Sequence, residues 1–167
     1  MPSDSLPEII VKYKGTFHQE GLYQRIYDWL IHQGYEVHEG KHKHKMGNLG
    51  GEQEVKWEGS RKLNHFIKYI IKIEYKFWEL KPVEVRGEHM TYGRFHVVLN
   101  ASFEMDYNSR FSKAGLSGLF AFFMKFIYLK DVDIIYADSL YYEVYRLHRA
   151  IKEYLDMETQ TNAFEGR

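Results

Sequence analysis

Cysteine is absent from the 167-residue chain. That removes disulfide scaffolds, thiolate zinc centres and cysteine nucleophiles together, and it fits an intracellular, cytoplasmic protein. Net charge is missing too: Lys plus Arg and Asp plus Glu each number 23, so no global field draws the chain to nucleic acid or acidic lipid. The amino-terminal MPSDSLPEIIVKYKG lacks the basic segment and the apolar run of about 7 to 15 residues that mark a secretory signal. Lys125 interrupts the longest apolar run short of the ~18 residues of a membrane span, although lying on a membrane surface stays open. No GxxxxGK[ST], GxGxxG or GxSxG pattern is present, and nothing in the sequence pairs the carboxylates for acid/base work, so no catalytic residue is assigned. No cofactor is called for.

What is there is patterned. Pro2 and Pro7 set off residues 1–7 as a disordered lead-in. Ile9, Val11 and Tyr13 alternate with Ile10, Lys12 and Lys14, which predicts a short strand ended by Gly15. Leu22, Ile26, Trp29 and Leu30 recur at helical spacing, so a helix is expected over 20–33 with Gly34 as its left-handed stop. Residues 35–45 and 53–60 alternate again around the glycine-rich 46–51 and read as a hairpin. The strongest strand is 65–80, with Ile67, Tyr69, Ile71, Ile73, Tyr75 and Phe77 on one face and Lys68, Lys72, Glu74 and Lys76 on the other. Pro82 and Gly87 bracket a connection. Residues 94–107 then place Phe95, Val97, Leu99, Ala101 and Phe103 inward, with Arg94, His96, Asn100 and Glu104 outward.

Two further amphipathic stretches follow. Over 113–130, Leu116, Leu119, Phe120, Phe122, Phe123, Phe126, Ile127 and Leu129 fill one half of a helix. Residues 131–138 fit either a short strand or a continuing helix. A last helix over 139–157 carries Leu140, Val144, Leu147, Ile151 and Leu155 in one stripe, with Asp138 as N-cap. The expected fold is α+β: an antiparallel sheet of about five strands, one apolar face covered by helices, in the order β-α-β-β-β-β-α-α. Residues 8–157 form the single domain, and 158–167 a loose tail. Three helices compete for one apolar sheet face.

Four surfaces carry functional expectations. His38, His42 and His44 share one parity on a strand and with Glu36 make a candidate divalent-metal set, opposed by the interleaved Lys41, Lys43 and Lys45. Lys68, Lys72 and Lys76, with Trp78 at the end, give a basic sheet face able to take single-stranded nucleic acid. Tyr142 and Tyr145 lie off the apolar stripe of the last helix, beside Arg146 and Arg149, a composition enriched at protein contacts. Leu116, Phe120, Phe123, Phe126 and Ile127 serve as core, as a protein or self-association surface, or as a membrane-surface helix. A sheet curved around its helices could also hold a small apolar ligand, as grip folds do.

The favoured expectation is a non-enzymatic binding or interaction module working through 113–130 and the Tyr-rich last helix. The alternatives are a metal-binding protein or metal-dependent enzyme using 38–44, and a nucleic-acid binder. The order of elements, with LYYEVYRLHRAIKEYLDM closing the chain and the long strand FIKYIIKIEYKFWEL, resembles small uncharacterised archaeal proteins of similar length. That resemblance covers most of the chain and implies no activity, substrate or site residue.

Overall fold

The structure, a computed structural model, describes residues 3–105 and 133–163, together with Gly115, Gly118, Leu119 and Phe122. The first strand, β1 (Ser3–Ser5), lies within the stretch expected as a disordered lead-in, yet it pairs with the end of the last strand. Next come β2 (Ile9–Phe17), α1 (Gln19–His32), β3 (Glu36–Gly47), β4 (Gly50–Lys62), β5 (Ile67–Val85) and β6 (Glu88–Met105). A π-helical turn, Asp133–Ala137, leads into α2, Asp138–Ala163. The 131–138 ambiguity therefore resolves toward helix from Asp133, and Asp138 continues a helical path instead of capping one. Most of the 113–130 stretch, including Leu116, Phe120, Phe123, Phe126 and Ile127, falls outside the described residues.

All strand pairs are antiparallel, in the spatial order β2-β6-β5-β4-β3, with β1 sharing β2's edge of β6. Three consecutive hairpins make the β3-to-β6 meander, and α1 carries the chain from one edge of the sheet to the other. The β3–β4 turn is only Asn48 and Leu49. Asn64 shapes the β4–β5 link by accepting from the Phe66 and Ile67 amides at 2.8 Å each. Between β5 and β6 the turn is Arg86-Gly87, both at positive φ (50° and 81°), the conformation that matches strand twist in two-residue hairpins. The expected connection between Pro82 and Gly87 is thus strand, because Pro82 lies beyond the last β4 pairing at Leu80, where β5 has a free edge that tolerates a missing N–H.

Parity decides the layers. Val11, Phe17, Trp57, Tyr69, Ile71, Ile73, Tyr75, Phe77, Phe95, Val97, Leu99 and Phe103 all point to one face and are buried. Leu22, Ile26 and Leu30 of α1, and Leu140, Val144, Leu147, Ile151 and Leu155 of α2, cover that face. His18 caps α1 by accepting the Gly21 amide on Nδ1 at 2.9 Å, and Gly34 (φ 84°) ends it. One polar cluster is built into this layer. Glu143 of α2, only 5% exposed, accepts from Arg61 Nη2 at 2.7 Å and from the Tyr35 hydroxyl at 2.6 Å. Arg61 also donates to the Gln33 carbonyl at 2.7 Å and stacks over the Tyr35 ring. The cluster ties α2 to β4 and to the α1–β3 junction. Both of these helices lie on that face; the other, the open face, carries exposed Lys12, Lys14, Lys43, Lys45, Lys72 and Arg94, while Ile70 and Val98 on it are buried.

Candidate functional site

On the open face, residues directly opposite one another across antiparallel strands project to the same side. The register therefore assembles rows that no single strand contains. One row runs Lys12, His96, Lys76, Glu54, Lys43 across all five strands. The next joins Lys14, Arg94 and Trp78, and beyond Trp78 the opposed pair Glu52 and Lys45 closes it. These rows hold six lysines and arginines, one histidine and two glutamates.

Glu54 is engaged by Lys56 at 3.2 Å and Lys43 at 3.9 Å, and Lys76 approaches Glu74 at 3.5 Å. Lys12, Lys14 and Lys45 have no ion pair among the described residues. The positive field is visible in His96, whose pKa is held below the usual histidine range by burial first and then by Lys12, Arg94 and Lys76. Trp78 sits at the centre. The Arg94 guanidinium lies 5.5 Å from its ring and the His96 ring meets it edge-on at 4.8 Å.

Immediately after Trp78 the sheet is distorted. β5 carries one extra residue relative to both neighbours, and Glu79 adopts φ 59°, a left-handed conformation costing a non-glycine residue about 1–2 kcal/mol. Glycines on both flanking strands make the room. A Cβ on Gly93 would come within 2.9 Å of the Trp78 carbonyl oxygen, and one on Gly50 within 2.9 Å of the Glu79 carbonyl carbon. Arg94 pairs with the Glu79 carboxylate at 3.6 Å. Beside the bulge lies a pocket of about 190 Å³ bounded by Asn48, Leu49, Glu52, Trp78, Glu79 and Arg94.

The expected nucleic-acid residues divide along β5. Lys76 and Trp78 belong to the two rows, whereas Lys72 is paired with Glu58 at 3.9 Å and Lys68 is ten residues from Trp78, about 33 Å along the strand. The alternation over 94–107 marks Arg94 and His96 as outward-facing but does not join them to Trp78. Lys12, Lys14, Lys43 and Lys45 were missed because only the register brings them there.

The histidines do not converge. β3 has an extra residue between Glu39 and His42, with Gly40 close against the Lys56 carbonyl. The bulge reverses parity: His38 faces Glu58 on the open side, while His42 and His44 face Val55 and Gln53 on the helix side. His44 meets Gln53 at 3.3 Å. Among the described residues no group of three or more His, Asp or Glu could hold a metal ion.

On α2 the outward face is aromatic. Tyr142 is 67% and Tyr145 44% exposed, Tyr141 and Tyr145 lie 4.6 Å apart, and Ile134 and Ile135 in the preceding π turn are exposed as well. From the 113–130 stretch, Leu119 and Phe122 are exposed. No helix among the described residues is long and apolar enough to cross a membrane. Comparison with known protein families and with curated proteins finds no match for this chain.

Proposed function

We propose that this chain is a cytoplasmic, non-enzymatic binding module that takes single-stranded nucleic acid on the open face of its sheet. The observation that carries the reading is the pair of cationic rows centred on Trp78. Successive phosphates need cations spread along a path, and a base needs one exposed aromatic surface on which to stack. The rows supply cations on four strands, and β5 supplies the ring. A cysteine-free composition fits the compartment.

Fluorescence anisotropy with a labelled mixed-sequence 12-mer tests it. Trp78→Ala should weaken binding by roughly 5- to 150-fold, the range for losing one stacked base. Lys12→Glu with Lys14→Glu should weaken it further, with the thermal midpoint unchanged. Failure to bind refutes the reading. Equal binding by wild type and Trp78→Ala, with free heparin or anionic vesicles competing as well as the oligonucleotide, shows only an unspecific polyanion surface and also refutes it.

A second reading has its own observation. The inner side of α2 is fixed by Glu143 and the leucine stripe, so Tyr142 and Tyr145 are presented on a rigid helix with Ile134 and Ile135 beside them. That surface suits a second copy of this chain, whose formal charge of zero offers no repulsion between copies. Light scattering on a sizing column should then give a dimer that Tyr142→Ser with Tyr145→Ser converts to monomer. A wild-type monomer at high concentration rules this out.

A further inference from the structure

We infer that the pocket beside the β5 bulge selects bases carrying an exocyclic amino group, discriminating against thymine and uracil; this rests on the nucleic-acid reading of the open face. A base stacked on Trp78 presents its polar edge to whatever bounds the ring. On the hairpin side the pocket is lined by Glu79, Glu52 and Asn48, which bring two carboxylates and an amide to it. Ionised carboxylates only accept hydrogen bonds. Cytosine and adenine offer an amino donor at the end of this edge, and guanine offers adjacent N–H and amino donors, whereas thymine and uracil offer one N3–H flanked on both sides by carbonyl oxygens that a carboxylate repels. Arg94 holds Glu79 from the other side at 3.6 Å while lying over the Trp78 ring, so the acceptor and the stacking surface are positioned by one side chain.

The backbone supports the same assignment. Glu79 has a left-handed conformation in a strand that would run straight without it, and both neighbouring strands give up side chains at Gly50 and Gly93 to admit it. Strain of this kind collects where a side chain must be aimed at a ligand. A bulge re-aims residues next to binding sites in the same way.

Oligo(dC) and oligo(dT) 12-mers separate the possibilities, because they match in charge and length and both stack as pyrimidines. Wild type should prefer oligo(dC) by about tenfold, within the range for one good carboxylate-to-base contact. Glu79→Gln should reduce the preference to less than threefold, by weakening oligo(dC) and strengthening oligo(dT). Glu79→Asn, which tolerates the left-handed conformation, keeps the bulge and should behave likewise if Glu79→Gln melts early. Equal wild-type affinity for the two oligomers overturns the selectivity and leaves the open-face reading standing. A preference that survives both substitutions overturns the role of Glu79. Binding to neither oligomer overturns both readings.

Discussion

Removing Glu143 is the most demanding test of how the helices are held on the sheet. Its carboxylate receives one charge-assisted bond from Arg61 and one from the Tyr35 hydroxyl, at 2.7 and 2.6 Å, within a site where the glutamate side chain is 7% exposed and the arginine 20%. Glu143→Ala strands the Arg61 guanidinium, whose buried Nε already lacks a partner among the described residues, and takes the acceptor from Tyr35. Breaking one side of a buried pair costs about 3–5 kcal/mol, a large share of the roughly 5–15 kcal/mol available to a domain. For a chain of this length that lowers the melting midpoint by roughly 6–20 °C. Glu143→Gln retains an oxygen for Tyr35 and loses only the charge, so it should cost about half as much. Arg61→Met with Glu143→Leu removes both charges and should return to within about 2 kcal/mol of wild type. Urea unfolding followed by circular dichroism, with equal slopes for all four proteins, measures the series. A cost below about 1 kcal/mol for Glu143→Ala, or a double variant as unstable as that single one, refutes a closed buried pair.

Three other consequences can be measured on the same material. Tyr75 is fully buried and its hydroxyl has no partner among the described residues, so Tyr75→Phe should raise stability by about 1 kcal/mol; a loss of that size would mean the hydroxyl is satisfied. Tyr35, Tyr69 and Tyr75 all have pKa values above the ordinary phenol range, with burial the first cause of each. Their raised folded values give stability that is complete below about pH 10 and lost above it, as the unfolded phenols ionise first. Absorbance at 295 nm should show a class of tyrosines that titrates only with unfolding, and a single transition near pH 10 in folded protein would contradict this. Gly93→Ala drives a methyl against the Trp78 carbonyl and should cost about 1–3 kcal/mol, which unchanged urea unfolding would disprove.

Strand identity was readable wherever alternation was strong. Ile67 to Phe77 and Phe95 to Phe103 announce their inner face, and the core they form is the one found. The helix stop at Gly34 was equally clear, because few residues adopt φ 84° cheaply. The bulges were not legible. An extra residue at 40–41 leaves the alternation of His38, His42 and His44 intact in the sequence while reversing it in space, and Glu79 gives no local sign of positive φ. Pro82 misled for a related reason, since its tolerance depends on where β4 stops. The cationic rows were half legible: Lys76 and Trp78 declare themselves on one strand, but Lys12, Lys14, Arg94 and Lys43 reach them through pairings between 11 and 84 residues apart. Arg61 and Glu143 meet across 82 residues, and no periodicity marks that contact.

The central claim is that phosphates lie along the two rows on the open face, and its salt dependence tests it most directly. If about five phosphates are neutralised, the logarithm of the single-strand affinity should fall against the logarithm of salt with a slope near −3.5, a loss of roughly a hundredfold between 50 and 200 mM. Lys12→Glu with Lys14→Glu should flatten that slope by about 1.4. A slope near zero in wild type, or one that those two substitutions leave unchanged, would place the nucleic acid elsewhere or nowhere on this protein.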